Sequence, residues 1–391
     1  MEVDVAIVGG GPAGLATALF LESRAKDLAR RTVVLERATY PRDKVCAGAV
    51  GGRGLALLAS IGVRPDVPKV EIRGIAVTTR VGELLERSDR VVGWVVRRRE
   101  LDAELARIAR GRGIAIEEGR AVREVRAPED GPVELELEGG ERFRAKVVVG
   151  ADGVGSVVRR AVGWPRGGIV AQAVELDTER SPSDLPEDVL HFDLTEPDLV
   201  GYAWDFPTPL DGKTRMSRGV YDLGPRALDP AARLARRTRD PIALPKRRFS
   251  ERGVTLGERL AKPRILLVGE AAGIDPVLGE GIAQAIAYGA YAGEYLARVL
   301  PSARLAFEDY APLSPRRRLG IDLELRARAL PLVYGRTRRA LEWTVSHSSP
   351  LARAGLAYFG GARVPRADLA RAAFDLARGC LMAGLSPAGR W

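Results

Sequence analysis

The sequence predicts an α/β protein with three parts: a Rossmann-type dinucleotide-binding domain, a mixed, mainly antiparallel domain interrupting it, and a helical C-terminal region. Three observations lead to that class. Residues 3–8 (VDVAIV) form a short apolar run that passes through GGGPAG into a helical pattern, the order of a strand, a glycine turn and a helix. Residues 264–269 (RILLVG) repeat the buried-strand pattern much later and precede a long helix rich in small residues. Between them lie short alternating segments separated by Gly and Pro, as antiparallel strands would be.

Taken in order, residues 3–8 are the first strand, 12–30 a helix and Thr32–Glu36 (TVVLE) the second strand, a βαβ unit. The segments IAIEEG, AVREVRA and VELELE read as short strands leading into AKVVVGADG, a buried strand ending in a turn. Residues 163–263 are proline-rich and irregular, with strand-like pieces DVLHFDL and GYAWDFP. A long helix is expected over 279–300, then basic helices broken by prolines to the end. The expected division is 1–69, 97–163 and 264–300 for the nucleotide domain, 70–96 with 164–263 for the inserted domain, and 301–391 for the helical region.

Composition narrows the class of function. An apolar fraction of 46% in 391 residues suits a soluble globular chain with an ample core. The cysteines are Cys46 and Cys380, too few for a disulfide framework, so a reducing, cytoplasmic setting is expected. The longest uncharged run, residues 5–21, is short for a span and broken by GGGP, and no basic segment precedes it. The net charge is +10, and from residue 301 onward 15 arginines face 7 acidic residues, a surplus of 8. That suits a solvated basic face, an anionic membrane surface at the inner face of the membrane, or an acidic protein partner. Nucleic acid fits less well, because zinc spacings, an RNA-recognition signature and aromatic–basic interleaving are all missing. His191 and His347 are the only histidines and stand far apart, so no metal site is expected, and there is no Gly-x-Ser-x-Gly elbow.

Gly9, Gly11 and Gly14 form G-x-G-x-x-G. The first permits a tight turn, the second lets a pyrophosphate approach the backbone, and the third lets the helix pack on the strand. Glu36 closes the second strand, where a carboxylate accepts hydrogen bonds from a ribose hydroxyl pair.

GADGVGSVVRR supplies D-G-x-x-S-x-x-R, and LLVGEAAGIDPVLGEGIAQA supplies a strand, an acidic residue, a proline loop and a helix start. With the glycine motif these resemble the p-hydroxybenzoate hydroxylase-like flavoprotein fold. PRDKVCAGAV (Pro41, Lys44, Cys46, Gly48) and GYAWDFP (Tyr202, Trp204, Phe206, Pro207) resemble its geranylgeranyl reductase branch. The chain departs from that branch at Ala47, at Thr208-Pro209, at Leu278 and at Glu270, where aspartate is usual. The resemblance implies an FAD site formed by Gly9, Gly11, Ala13, Gly14, Glu36, Arg37, Cys46, Ala47, Ala49, Arg98, Val122, Asp152, Gly269, Glu270, Gly281 and Ile282. It also implies an apolar substrate, with Tyr202, Trp204 and Phe206 beside it.

Tyr202 and Trp204, two apart on a strand, project to one face and can wall such a pocket. Cys46 is expected where the chain turns into a helix beside Lys44, two features that favour thiolate and make it a candidate proton donor or flavin-tuning group. The activity implied is reduction of carbon–carbon double bonds of an isoprenoid, with NADPH or reduced ferredoxin as electron donor. Its rivals on the same fold are an FAD monooxygenase, a flavin halogenase, whose W-x-W-x-I-P signature is missing, and a non-catalytic flavoprotein tether.

Overall fold

The computed structural model describes residues 2–128, 131–165, 168–196, 198–224, 230–238, 247–335 and 337–385. Parts of the expected inserted domain (225–229, 239–246) and of the basic tail (Arg336 and 386–391) lie outside the described residues.

The first sheet is built on Glu2–Val8, flanked in parallel by Thr32–Glu36 and Arg142–Gly150. Ala115–Glu118 and Ile265–Leu267 extend it in parallel at either side, and a hairpin, Val122–Arg126 with Val133–Leu137, joins through Arg142–Gly150. Val5, Ala6, Ile7, Val147, Val148 and Val149 are fully buried, in one core cluster with Leu15 and Leu19 of the helix that follows the first strand and with Val125 and Leu135 of the hairpin. A seven-stranded sheet runs Arg247–Arg252, Val170–Thr178, Lys213–Asp222, Gly201–Leu210, Val189–Asp193, Gly74–Thr79, Gly82–Arg87. It is antiparallel except where Val189–Asp193 meets Gly74–Thr79. Ala49–Gly51, Gly93–Val96 and Lys69–Ile72 form a small third sheet.

Several expected limits shift for local reasons. The first helix covers Pro12–Arg24 and breaks at Ala25, whose backbone is not helical, before the short turn Lys26–Ala29. The late helix begins at Ile282 rather than at 279, since Gly279 is left-handed (φ +65°). The tail folds into Arg318–Val333, Arg338–His347, Ser349–Phe359 and Arg366–Leu385. It is fastened to the seven-stranded sheet through buried Glu342, which receives Arg80 at 2.8 Å and Arg338 at 2.8 Å.

The late helix Ile282–Val299 lies on Pro12–Arg24 with almost no side chain between them. A β-carbon on Gly289 would stand 2.6 Å from the Ala13 carbonyl, and one on Gly293 would stand 2.6 Å from the Thr17 carbonyl. Neither backbone can retreat without moving the glycine turn at the head of the first helix. Gly293→Val is therefore expected to cost about 1–3 kcal/mol from overpacking and to weaken nucleotide binding. Gly111→Ala, at a helical glycine with open space around it, is expected to shift stability by at most about 1 kcal/mol, upward. Urea midpoints of the two variants check this; equal midpoints would count against close helix contact.

Candidate active site

A single cavity of about 710 Å³ runs from the glycine turn to the aromatic face of the seven-stranded sheet. At its first end, Gly9 is left-handed (φ +105°), and a β-carbon there would meet the Ala151 carbonyl at 2.4 Å. A β-carbon on Gly14 would meet the Gly9 carbonyl at 2.0 Å, so the third glycine brings helix against turn. Gly11 faces open space, and the nearest atoms to its missing β-carbon are guanidinium nitrogens of Arg98 at 3.6 Å and Arg42 at 3.9 Å. Two cations and a helix N-terminus thus converge where the backbone is bare, which suits an anion.

The cations are held by Asp102, a fully buried carboxylate on the helix Arg98–Gly111. It takes Arg98 through two hydrogen bonds of 2.8 and 2.6 Å, and Arg42 at 3.0 Å. Sequence reasoning missed Arg42 and Asp102. The signal for Asp102 was its i+4 spacing from Arg98; Arg42 shows none before the strands are folded. Glu36 is buried, accepts the Gly10 N–H at 2.9 Å and the Ala38 N–H at 3.0 Å, and meets Arg42 at 3.2 Å. Tyr40 donates its hydroxyl to the Gly10 carbonyl, and burial beside Glu36 pushes that phenol far up.

Asp152 accepts the Val157 and Val158 N–H groups at 2.6 and 3.2 Å through Oδ2, while Oδ1 is buried without a partner. Arg159, last in the D-G-x-x-S-x-x-R motif, is buried and donates to the Ala271 and Pro165 carbonyls at 3.1 Å, a structural tie. Gly269 (φ +59°) lets the chain turn against Ala13, and Glu270 follows inside the cavity. Burial raises the Glu270 pKa against the pull of Lys44.

The loop after Glu270 is held by its own carbonyls and amides. Tyr221, Tyr334 and Tyr202 donate to the carbonyls of Pro276, Val277 and Leu278 at 3.2, 2.7 and 2.5 Å. Asp275, buried, accepts the Val277 and Leu278 N–H groups at 2.8 and 3.2 Å. Arg326, from the helix Arg318–Val333, pairs with Asp275 and reaches Glu280 at 3.1 Å and Asp322 at 2.8 Å. Arg326, Tyr358 and Phe359 line the cavity, so the C-terminal region, read from sequence without a motif, closes the site.

Cys46 corrects the expectation for it. It lies in irregular chain ahead of the strand Ala49–Gly51, and the helix begins only at Gly52. Burial pushes its thiol up, against a smaller opposing pull from Arg98. Its sulfur accepts the Gly48 N–H at 3.4 Å and its own N–H donates to Glu175 at 3.3 Å. Burial thus opposes the thiolate that the neighbouring Lys44 suggested.

Of the residues expected from sequence, Gly14 and Gly269 stand behind the wall. Gly9, Gly11, Ala13, Glu36, Arg37, Cys46, Ala47, Ala49, Arg98, Val122, Asp152, Glu270, Gly281 and Ile282 line the cavity. So do Tyr202, Trp204 and Phe206. Register explains the aromatic wall: Tyr202 pairs with Tyr221 and Trp204 with Phe192 across adjacent strands. The Tyr202 and Tyr221 rings stack at 5.3 Å, and Phe192 meets Phe206 edge-on at 5.2 Å. The bare, cation-flanked turn and the unpartnered Asp152 oxygen fit the pyrophosphate and polar chain of FAD.

Residues 2–204 match the FAD binding domain family. The chain is 30% identical over 329 residues to menaquinone reductase of Mycobacterium tuberculosis, covering 78% of each chain. It is 30% identical over 325 residues to digeranylgeranylglycerophospholipid reductase 1 of Methanopyrus kandleri, covering 75% of this chain and 80% of that one. A geranylgeranyl bacteriochlorophyll reductase-like protein from Thermoplasma acidophilum shares the fold with a TM-score of 0.70 at 18% identity, over 98% of each chain. The cradle, the aromatic wall and these similarities together place the chain in the geranylgeranyl reductase family of FAD-dependent oxidoreductases.

Proposed function

We propose that this protein reduces carbon–carbon double bonds in the isoprenoid part of a lipid or quinone. The observation that carries the reading is the continuity of one cavity between the dinucleotide cradle and a wall of Tyr202, Trp204, Phe206 and Tyr221. A bound FAD, once reduced by NADPH or reduced ferredoxin, supplies hydride. The chain's part is to bind, orient and exclude water. Arg98, Arg42 and the turn at Gly9–Gly11 hold the pyrophosphate. The backbone from Cys46 to Ala49 bounds the flavin ring. The aromatic wall takes the apolar chain without offering it a hydrogen bond, its tyrosine hydroxyls being spent on the loop carbonyls.

The entrance fits a substrate that lives in a membrane. No helix among the described residues is long and apolar enough to cross one. The helix Arg318–Val333, which sends Arg326 into the cavity, exposes Ile321, Leu325 and Leu332 along one stripe with Arg328. Leu278, at once in the cavity wall and 40% exposed, lies at the mouth. Peripheral contact with an anionic bilayer would feed the site from the lipid phase.

Four outcomes are expected. Denatured protein releases FAD, and the chemically reduced holoenzyme converts menaquinone without oxygen to a product that stays two hydrogens heavier in its side chain after the quinone ring has been reoxidised. Release of FMN, or a product that forms only with oxygen and carries an oxygen atom, would replace the reading with another. Flotation with phosphatidylglycerol vesicles exceeds that with phosphatidylcholine, falls with salt, and falls again in Leu325→Asp/Leu332→Asp; each basic residue at the surface adds about 1 kcal/mol at low salt. Iodoacetamide at pH 8 labels exposed Cys380 well before Cys46, because a raised pKa leaves less thiolate at that pH; equal labelling would contradict a neutral thiol.

A further inference from the structure

Most carboxyl groups of the cavity already have partners. Glu36 holds Gly10 and Arg42, Asp152 caps a helix, Glu280 faces Arg53 at 2.8 Å and Arg326 at 3.1 Å, and Glu270 accepts the Arg252 N–H at 3.4 Å. Glu251 differs. It lies on the strand Arg247–Arg252 opposite Ala171 and lines the cavity. Asp152 and Glu280 each leave one buried oxygen unpartnered but bond through the other, whereas the Glu251 side chain makes no hydrogen bond or ion pair among the described residues, its buried Oε2 included. Gly279 makes the room for it: a β-carbon there would stand 2.3 Å from Oε2 and 3.0 Å from the Tyr221 ring. The carboxyl is thus lodged between the Asp275 loop and the aromatic wall.

The neighbouring acids are poorly placed to give up a proton. Tyr202 and Tyr221 would have to release the loop carbonyls they hold. Burial also raises both phenols well above their usual range. The groups facing Glu251 are Lys44, Glu175, Glu270 and Asp275, with the Cys46 thiol nearby. Burial first, and then Glu270, keeps Glu251 protonated far above the ordinary carboxylate range; only Lys44 opposes them. An unpartnered, neutral carboxyl in an aromatic cavity is a proton donor in waiting.

We propose that Glu251 supplies the proton that completes saturation of the substrate double bond. This rests on the double-bond reduction proposed above. The alkene takes a hydride at one carbon from the reduced flavin, which is thereby oxidised by two electrons. Its π pair forms the second C–H bond with the Glu251 proton, the carboxyl O–H bond breaks, and a carboxylate remains. Lys44, the cation that faces Glu251, stabilises that carboxylate until solvent reprotonates it.

The test pairs spectroscopy with half-reactions. Infrared difference spectra of wild type against Glu251→Gln, without flavin or substrate, should show a protonated-carboxyl band at neutral pH that the variant lacks. Holo Glu251→Gln should bind FAD and accept electrons from dithionite as wild type does, since glutamine keeps the shape. Anaerobic reoxidation of its reduced flavin by menaquinone should slow by about 10²–10⁴-fold, the usual effect of losing a positioned acid. Glu251→Asp, which keeps an acid, should fall between the two and serves if glutamine does not fold. Wild-type reoxidation in Glu251→Gln, or no Glu251-dependent carboxyl band, would overturn the assignment. If menaquinone fails to reoxidise even the wild-type flavin, the double-bond reading is at fault and the infrared band alone decides the state of Glu251.

Discussion

The site depends on one buried ionic cluster, Asp275 with Arg326. Asp275 fixes the amides of its loop, Arg326 arrives from a helix some fifty residues later, and Glu280, Asp322 and Arg53 complete the group. The Tyr358 ring lies between the two guanidinium groups, 4.4 Å from Arg53 and 4.9 Å from Arg326. Such a cluster adds little net stability, because desolvation offsets attraction; removing one member, however, strands a buried charge at a cost of about 3–5 kcal/mol. Its value is geometric. The loop that brings Leu278 to Gly281 into the cavity wall is locked by three tyrosine hydroxyls and one carboxylate, and the same arginine ties the C-terminal cover to it.

That arrangement changes the meaning of the arginine surplus. Arg326 and Arg338 belong to the interior, one in the cavity wall and one in the Glu342 anchor. Arg328, beside Leu325 and Leu332, is by contrast exposed on the outside of the helix that carries Arg326. Arginine suits both places: its planar fork serves several carboxylates at once when buried, and its long apolar stem lies flat on a surface.

What could be read from the sequence was what is local. Gly14 declares itself because its packing constraint, the Gly9 carbonyl, lies five residues away, and Gly9 is legible through the motif spacing although the Ala151 carbonyl it packs against is remote; the buried parallel strands read as continuous apolar runs. Tyr202, Trp204 and Phe206 were legible as one face because side chains alternate along a regular strand, and Gly201–Leu210 pairs with Lys213–Asp222 in unbroken register. Arg42 and Glu251 were not, since what matters about each is set by residues distant in sequence: Asp102 for the first, Gly279 and Tyr221 for the second. Cys46 went wrong for the same reason. A lysine two residues before it is visible in the sequence, whereas the burial that outweighs any nearby cation is not.

Reduction of an unactivated double bond makes two demands that pull against each other. Hydride chemistry favours a dry, aromatic chamber, yet the second carbon needs a proton, and water is what the chamber keeps out. A protein can meet both by storing the proton on a group that burial itself keeps neutral. On the proposed function, the aromatic wall and the carboxyl at Glu251 are parts of one solution: the surroundings that would hold an apolar chain also raise the acid's pKa. The glycine at 279 that admits the carboxyl lies in the loop locked by Asp275, so the position of the acid, this part of the cavity wall and the C-terminal cover are set by the same contacts.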